Sequence, residues 1–204
     1  GSVGSGKSVI LKHILEQLTR KRSAKLFLYD IKGDFTSIFK RPIIVSPFDA
    51  RSHVWDVAAD VRTPTHAAAF AASLIPEGDG NAKFWSMAAQ DLLIGCVREL
   101  QNTRPGEWEW PDLAALVRRP AAEMAAGMRP HYPRGAALVR DPESQTTSSV
   151  LSSLGGFTRL IDDLATAWPK VGKRRFSMTE WIRDDYNGRK QVIVQSGPDP
   201  TLTK

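Results

Sequence analysis

Hydrophobic and polar positions follow different periods in different parts of the chain. Ile10, Ile14 and Leu18 recur at every fourth position, which predicts an amphipathic helix from residue 7 onward. Residues 25–29 and 42–45 are short apolar runs, typical of strands buried in a parallel sheet. Short strands that follow a helix in this way indicate an α/β domain.

The middle of the chain has a helical pattern without strand signals. Helices are predicted at residues 65–74, 83–100, 113–117, 121–128 and, with an interruption at Gly155 and Gly156, 144–168. The β pattern then returns: Ser177 and Glu180 form a capping box before a helix, and residues 191–196 predict a strand. We therefore expect two parts of an α/β domain, residues 1–60 and 171–204, with an inserted all-α domain at residues 61–170.

Composition narrows the class of protein. With 42% apolar and 25% charged residues, the chain resembles an ordinary globular protein. Its formal net charge of +6 favours anionic partners such as nucleic acid. The single cysteine, Cys96, allows neither an internal disulfide nor a cysteine-based metal cluster, and its apolar neighbours predict a buried position. The histidines lack ligand spacing, so the sequence supports no metal site apart from Mg²⁺ bound with a nucleotide.

The first eight residues match the phosphate-binding motif G-x-x-x-x-G-K-[ST] at each fixed position. Glycines allow backbone N–H groups to curl around phosphates, and the helix that follows directs its positive dipole end at them. Lys7 is expected to reach the β- and γ-phosphates, and the Ser8 hydroxyl to ligate Mg²⁺. The predicted cofactors are ATP and Mg²⁺, and the predicted nucleotide-binding residues are Gly1, Gly4, Ser5, Gly6, Lys7 and Ser8.

A P-loop enzyme also needs an acidic residue, usually at the end of an apolar strand, to complete its Mg²⁺ site. Asp30 follows the first predicted strand, and Asp34 lies next to Gly33 in the turn after it. Both are candidates for a supporting catalytic role, and both are equally reasonable as turn residues. The strand at 191–196 ends in Ser196 instead of an acid. We expect the missing acid to lie beyond Lys204, and this chain alone to be inactive.

Basic residues in the helical part are candidates for contact with DNA. The set is Arg118, Arg119, Arg129, Arg134 and Arg140, with His131 and Tyr132 nearby. Arginine beside aromatic side chains suits phosphate contact and base stacking, although a solvated helical face explains the same pattern. A second basic cluster comprises Lys170, Lys173, Arg174 and Arg175, and either DNA contact or a solvated linker accounts for it. The sequence also leaves open whether Trp108 and Trp110 are exposed or buried.

Two longer stretches resemble a known family. Residues 29–35 (Tyr-Asp-Ile-Lys-Gly-Asp-Phe) resemble the D-x-K-G-[DE] turn of HerA/FtsK-type DNA-pumping ATPases. Residues 46–55 (Ser-Pro-Phe-Asp-Ala-Arg-Ser-His-Val-Trp) resemble the N-P-L-D-A-R…W stretch of TraD/TrwB-type coupling proteins of conjugation and type IV secretion. Ser46 stands where that family often has Asn. Phe84-Trp85 and Phe176-Ser177 also match in order and spacing, so the likeness covers nearly the whole chain.

The resemblance implies an incomplete RecA-like P-loop nucleotide-binding domain with an inserted all-α domain. It implies a homohexameric ATPase at the cytoplasmic face of the bacterial inner membrane, anchored by segments outside this chain. Such an ATPase hands relaxase-bound single-stranded DNA to the proteins of a type IV secretion channel. The family's Walker B and arginine-finger elements lie after the region present here.

Two alternatives remain open at this level. A small-molecule kinase with a helical lid would use Asp30 as the acid of its Mg²⁺ site. A non-catalytic module would use the helical domain to dock a secretion substrate, and its binding would be insensitive to nucleotide and salt.

Overall fold

The computed structural model describes residues 6–21, 24–31, 33–169 and 174–195, and for Lys7 and Ser8 it describes the backbone alone. The chain divides into two compact units. The first comprises Gly1–Trp55 and Lys173–Lys204, and the second comprises Asp56–Gly172. The second unit is therefore an insertion between two separate stretches of the first.

The elements follow one another along the chain in the order helix, strands, helices, strands. They are α1 (Lys7–Thr19), β1 (Leu26–Tyr29), a 3₁₀ turn (Thr36–Ile38), β2 (Ile43–Val45), β3 (Val54–Trp55), α2 (Val57–Asp60), α3 (Pro64–Leu74), α4 (Ala82–Thr103), α5 (Trp110–Val117), α6 (Ala121–Met128), α7 (Pro133–Leu138), α8 (Gln145–Phe157), α9 (Arg159–Ala167), β4 (Arg175–Phe176), α10 (Met178–Trp181) and β5 (Gln191–Val194).

The first unit contains a parallel three-stranded sheet in the order β1-β5-β2. Strand β5 lies in the centre, so that Val194 is the register partner of both Tyr29 and Val45. Side chains of Leu15, Phe39 and Ile193 form the buried cluster beside the sheet. The short strands β3 and β4 make a separate parallel pair. The segment after the insertion thus completes the sheet that the segment before it begins.

Helices are the only regular secondary structure among the described residues of the second unit. Helix α4 is its centre and contacts α3, α5, α6, α7 and α8. Its inward positions, such as Leu92, Leu93 and Val97, are completely buried. Trp108 and Trp110 are 1% exposed, and the Trp110 ring packs against Phe70 and Trp168. Both tryptophans that the sequence left open therefore belong to the core of this unit.

The predicted interruption at Gly155 and Gly156 is wrong. Helix α8 continues through both glycines, and the break follows at Thr158, whose hydroxyl donates to the Leu154 carbonyl. A glycine in a helix costs about 1 kcal/mol relative to alanine. Burial of Val150 and Leu154, both 0% exposed, offsets that cost and holds the helix together.

Local sequence determines where several helices begin. The Thr63 hydroxyl accepts a hydrogen bond from the His66 N–H, and Pro64 follows at the first helical position of α3. The Ser177 hydroxyl accepts in the same way from the Glu180 N–H at the start of α10. Within the described part of the chain, no helix combines the length and the apolar character that crossing a bilayer requires.

Candidate functional site

The P-loop motif leads directly into α1. Gly1, Gly4 and Ser5 lie outside the described residues, as do the side chains of Lys7 and Ser8. Gly6 is the N-cap of α1 and has φ 72°, in the left-handed region that favours glycine. The first turn of α1 contains no acidic residue, and its N-cap has no side chain that could accept from the free N–H groups. This helix end therefore suits an anion such as a phosphate.

The position of α1 follows from the short connection to the sheet. Residues 20–25 join the end of α1 to the start of β1, so the helix runs back against the strand direction. Its N-terminus consequently lies toward the carboxyl ends of the parallel strands, where α/β sheets bind their ligands. Asp30, Ser46 and Gln195 follow β1, β2 and β5 at this same edge.

Asp30 organises the turn after β1. It is 2% exposed, and its Oδ1 and Oδ2 accept hydrogen bonds from the Gly33 and Phe35 N–H groups, both at 2.9 Å. Gly33 has φ 77°, which a side chain would strain. Asp34 is exposed and forms no hydrogen bond or ion pair within the described residues. The two candidate acids therefore differ: one holds the loop and the other is free to contact something else.

Polar side chains fix the other loops at this edge. The Ser52 hydroxyl accepts from the Ser46 N–H at 2.9 Å, and the Ser46 hydroxyl accepts from the Phe48 N–H at 3.3 Å. The Gln195 amide donates to the Thr36 hydroxyl at 2.6 Å, across a sequence separation of 159 residues. Sequence reasoning did not single out Thr36 or Gln195. Their only signal was a polar residue immediately after, or soon after, an apolar strand.

Three of the five arginines predicted to contact DNA form ion pairs inside the helical unit. Arg119 contacts the buried Glu99 at 2.7 Å, and Arg134 contacts the buried Asp91 at 2.9 Å. Arg118 contacts Asp162 at 2.6 Å on the surface. The buried carboxylates of Glu99 and Asp91 need these partners, so Arg119 and Arg134 have structural roles whatever else they bind.

The aromatic residue near these arginines is also engaged. The Tyr132 hydroxyl donates to Asp91 Oδ1 at 2.7 Å. Burial, together with the negative charge of Asp91, raises the pKa of Tyr132 to about 12. Arg129 and Arg140 are different: both are exposed, and neither forms an ion pair or side-chain hydrogen bond among the residues that the structure describes.

Comparison with known families decides where the chain belongs. The family model for the type IV secretion-system coupling protein DNA-binding domain matches residues 1–202. The chain belongs to this family. Coupling protein TraD of Escherichia coli (strain K12) is 29% identical over 105 residues, which cover 50% of the chain and 14% of TraD. The resemblance to TraD/TrwB-type coupling proteins is thus confirmed.

Solved coupling-protein structures share the fold. The structure of the bacterial conjugative coupling protein TrwBΔN70 with sulphate matches with a TM-score of 0.72 at 20% identity, covering 97% of the chain and 45% of TrwB. TrwB in complex with ADP and Mg²⁺ matches with a TM-score of 0.72 at 19% identity, covering 97% and 46%. The expected fold class, an α/β P-loop domain with an inserted all-α domain, is confirmed. The chain spans less than half the length of these relatives.

Proposed function

We propose that this chain is the ATP-binding part of a DNA-translocating coupling ATPase, which delivers relaxase-bound single-stranded DNA to a type IV secretion channel during conjugation. The observation that carries the proposal is the left-handed Gly6 at the start of α1, because it is the second fixed glycine of a complete P-loop motif at the ligand-binding edge of a parallel sheet. Membership of the coupling-protein family supports the transport role. TrwB, a member with the same fold, binds ADP and Mg²⁺.

The residues of the motif have distinct expected roles. Backbone N–H groups of residues 4–8 would surround the phosphates, and Lys7 would neutralise the β- and γ-phosphate charge. Ser8 would hold Mg²⁺, which supplies charge neutralisation on the phosphates when bound. The Asp30 hydrogen bonds keep the neighbouring turn, with Asp34 exposed on it, in one conformation.

Lys7→Ala in the full-length protein tests the nucleotide role. We expect ATP turnover to fall by at least a hundredfold, since the substitution removes the charge that stabilises the transferring phosphoryl group. Lys12→Ala is the matched control, because Lys12 is an exposed lysine of the same helix outside the motif. Thermal unfolding of both variants should match the wild type. Full turnover by the Lys7 variant would disprove the mechanism.

Arg129 and Arg140 are the proposed DNA contacts in the helical unit, since both are exposed without a described ion-pair partner. Each phosphate contact with single-stranded DNA contributes about 0.7 to the slope of log Kobs against log salt concentration. Replacing either residue with Gln should therefore reduce that slope by about 0.7 for an oligothymidylate. Arg118→Gln should change it less, because Arg118 already pairs with Asp162. If all three substitutions reduced the slope equally, the proposal that the unpaired arginines contact DNA and the paired Arg118 does not would be wrong.

The whole assembly is part of the same proposal. A homohexamer at the cytoplasmic face of the inner membrane, with the relaxosome and channel proteins as partners, is what membership of the family favours. Crosslinking of the full-length protein in membranes tests the oligomeric state. A monomer under conditions of full ATP turnover would contradict it.

The kinase alternative is less well supported. It requires Asp30 to act on Mg²⁺ or water, yet both Asp30 oxygens already accept backbone hydrogen bonds. Phosphate transfer to a metabolite, without stimulation by single-stranded DNA, would favour the kinase nonetheless. Protein binding insensitive to nucleotide and salt would favour a docking module.

A further inference from the structure

A basic cavity lies in the first unit, at the amino-terminal edge of the sheet, opposite the edge at which α1 begins. It has a volume of about 310 Å³. Its lining comes from the amino-terminal ends of β2 and β4 and from the segments that flank α10 and precede β5. The charged or titratable residues that line it are His53, Arg174, Arg175, Glu180, Tyr186 and Arg189. Three arginines against one glutamate make the cavity positive.

Two of the guanidinium groups have no counter-ion among the residues that the structure describes. Neither Arg174 nor Arg189 forms an ion pair or side-chain hydrogen bond within the described parts of the chain. Glu180 is exposed and belongs to the first turn of α10, where its N–H bonds to the Ser177 hydroxyl. Unpaired guanidinium groups that share a cavity attract an anion, and the planar guanidinium geometry favours phosphate.

His53 lines the same cavity as the two arginines. The residue is 9% exposed, and its Nδ1 is buried without a hydrogen-bond partner in the described structure. Burial lowers the pKa of His53 from its usual 6.5, and the charges of Arg189 and Arg174 lower it further. Burial and the two arginines therefore disfavour the charged form of the imidazole, so the positive charge of the cavity comes from the arginines.

We propose that this cavity binds a phosphate group, with the guanidinium groups of Arg174 and Arg189 as its donors. The volume accommodates a phosphate and several waters, each of which occupies about 30 Å³ in the liquid. The phosphate group comes either from the backbone of single-stranded DNA or from free phosphate. The first source rests on the proposed DNA-transport function, and the second does not.

The test uses the full-length protein with Lys7→Ala, so that the P-loop does not contribute to phosphate binding. Inorganic phosphate is titrated calorimetrically at constant ionic strength. Arg174→Gln and Arg189→Gln should each weaken phosphate binding by about tenfold, since each removes a charge-assisted hydrogen bond. Arg20→Gln, which removes an exposed charge elsewhere in the same unit, should leave phosphate binding unchanged.

An oligothymidylate distinguishes the two sources. If Arg174→Gln and Arg189→Gln weaken the binding of both phosphate and oligothymidylate, the site takes the DNA backbone. If they weaken phosphate binding alone, the site takes free phosphate. Phosphate binding that neither substitution weakens overturns the site.

Failure of this site is separable from failure of the proposed function. ADP binding by protein with Lys7 intact reports the P-loop and should be unaffected by Arg189→Gln. If the wild-type protein does not bind ADP, the nucleotide role is contradicted, and the proposed phosphate site in the cavity is not.

Discussion

Replacing Asp30 separates a structural role in the turn from a catalytic role on the nucleotide. The carboxylate is buried, and its two oxygens accept hydrogen bonds of 2.9 Å from the Gly33 and Phe35 N–H groups. Asp30→Ala removes both acceptors and leaves the two N–H groups without partners. Asp30→Asn keeps one acceptor oxygen for one backbone N–H. Its NH₂ group faces the other backbone N–H, and two donors cannot form a hydrogen bond with each other.

The size of the effect follows from these two bonds. A hydrogen bond to a charged acceptor contributes about 1.5–3 kcal/mol, so loss of both bonds in Asp30→Ala should lower the free energy of unfolding by about 3–6 kcal/mol. Asp30→Asn should lower it by about 2 kcal/mol. For a chain of 150–250 residues each 1 kcal/mol lowers Tm by about 2–4 °C, so the alanine variant should melt at least about 6 °C below the wild type.

Thermal unfolding of the full-length protein, followed by circular dichroism, measures the loss. Asp34→Ala is the matched control: the neighbouring acid is exposed and has no described partner, so its loss should change stability by about 0.5 kcal/mol or less. ADP binding by Asp30→Asn well below its Tm should stay near the wild-type value. Wild-type stability of Asp30→Ala, combined with lost ATP turnover, would refute the structural role.

Three further predictions concern the cavity and the helical unit. A Cβ at Gly95 would overlap the Met128 sulfur, so Gly95→Ala should destabilise the protein by about 1–3 kcal/mol in urea unfolding; Gly155→Ala, which meets open space, should stabilise it slightly. Since burial and neighbouring positive charge lower the pKa of His53 in the folded chain, the unfolded chain protonates this residue at a higher pH than the folded chain does. The contribution of His53 to stability is complete above pH 6.5 and is lost as the pH falls below it, and His53→Phe should remove this dependence. Burial raises the pKa of the Cys96 thiol to about 12, so iodoacetamide at pH 8 should label it only upon unfolding, as mass spectrometry would show.

Each of these has a result that contradicts it. Equal stability of the Gly95 and Gly155 variants would mean that α4 and α6 adjust without cost. If the pH dependence of stability is the same in His53→Phe as in the wild type, the loss of stability at low pH comes from other groups. Stoichiometric labelling of folded protein would show that Cys96 is accessible.

The sequence alone was sufficient for features that depend on neighbouring residues. The spacing of Ile10 and Ile14 predicted a helix and the apolar run before Asp30 predicted a strand, and both elements are present, because helical and strand periods are local properties. Their burial is different from that expected: Ile10 and Ile14 are exposed, and strand β1 is only half-buried. The P-loop motif required a glycine at position 6, and Gly6 has the left-handed conformation. The capping box at Ser177 predicted the start of α10 in the same way.

Other features depended on packing between residues distant in sequence. The glycine pair in α8 suggested a break, but burial of Leu154 kept the helix continuous. Periodicity could not place β5 between β1 and β2, since that order joins strands on either side of the helical insertion.

For the charged residues, too, the sequence identified candidates and the folded structure determined their partners. Sequence identified the arginines as candidates for contact with DNA, yet Arg119 pairs with Glu99 and Arg134 with Asp91, whereas Arg129 remains exposed. Burial makes a carboxylate require a partner, and burial is a property of the folded chain. The sequence therefore determined which phosphate-binding motif this protein has. The tertiary structure alone decided which of its charges are already paired and which are free to bind.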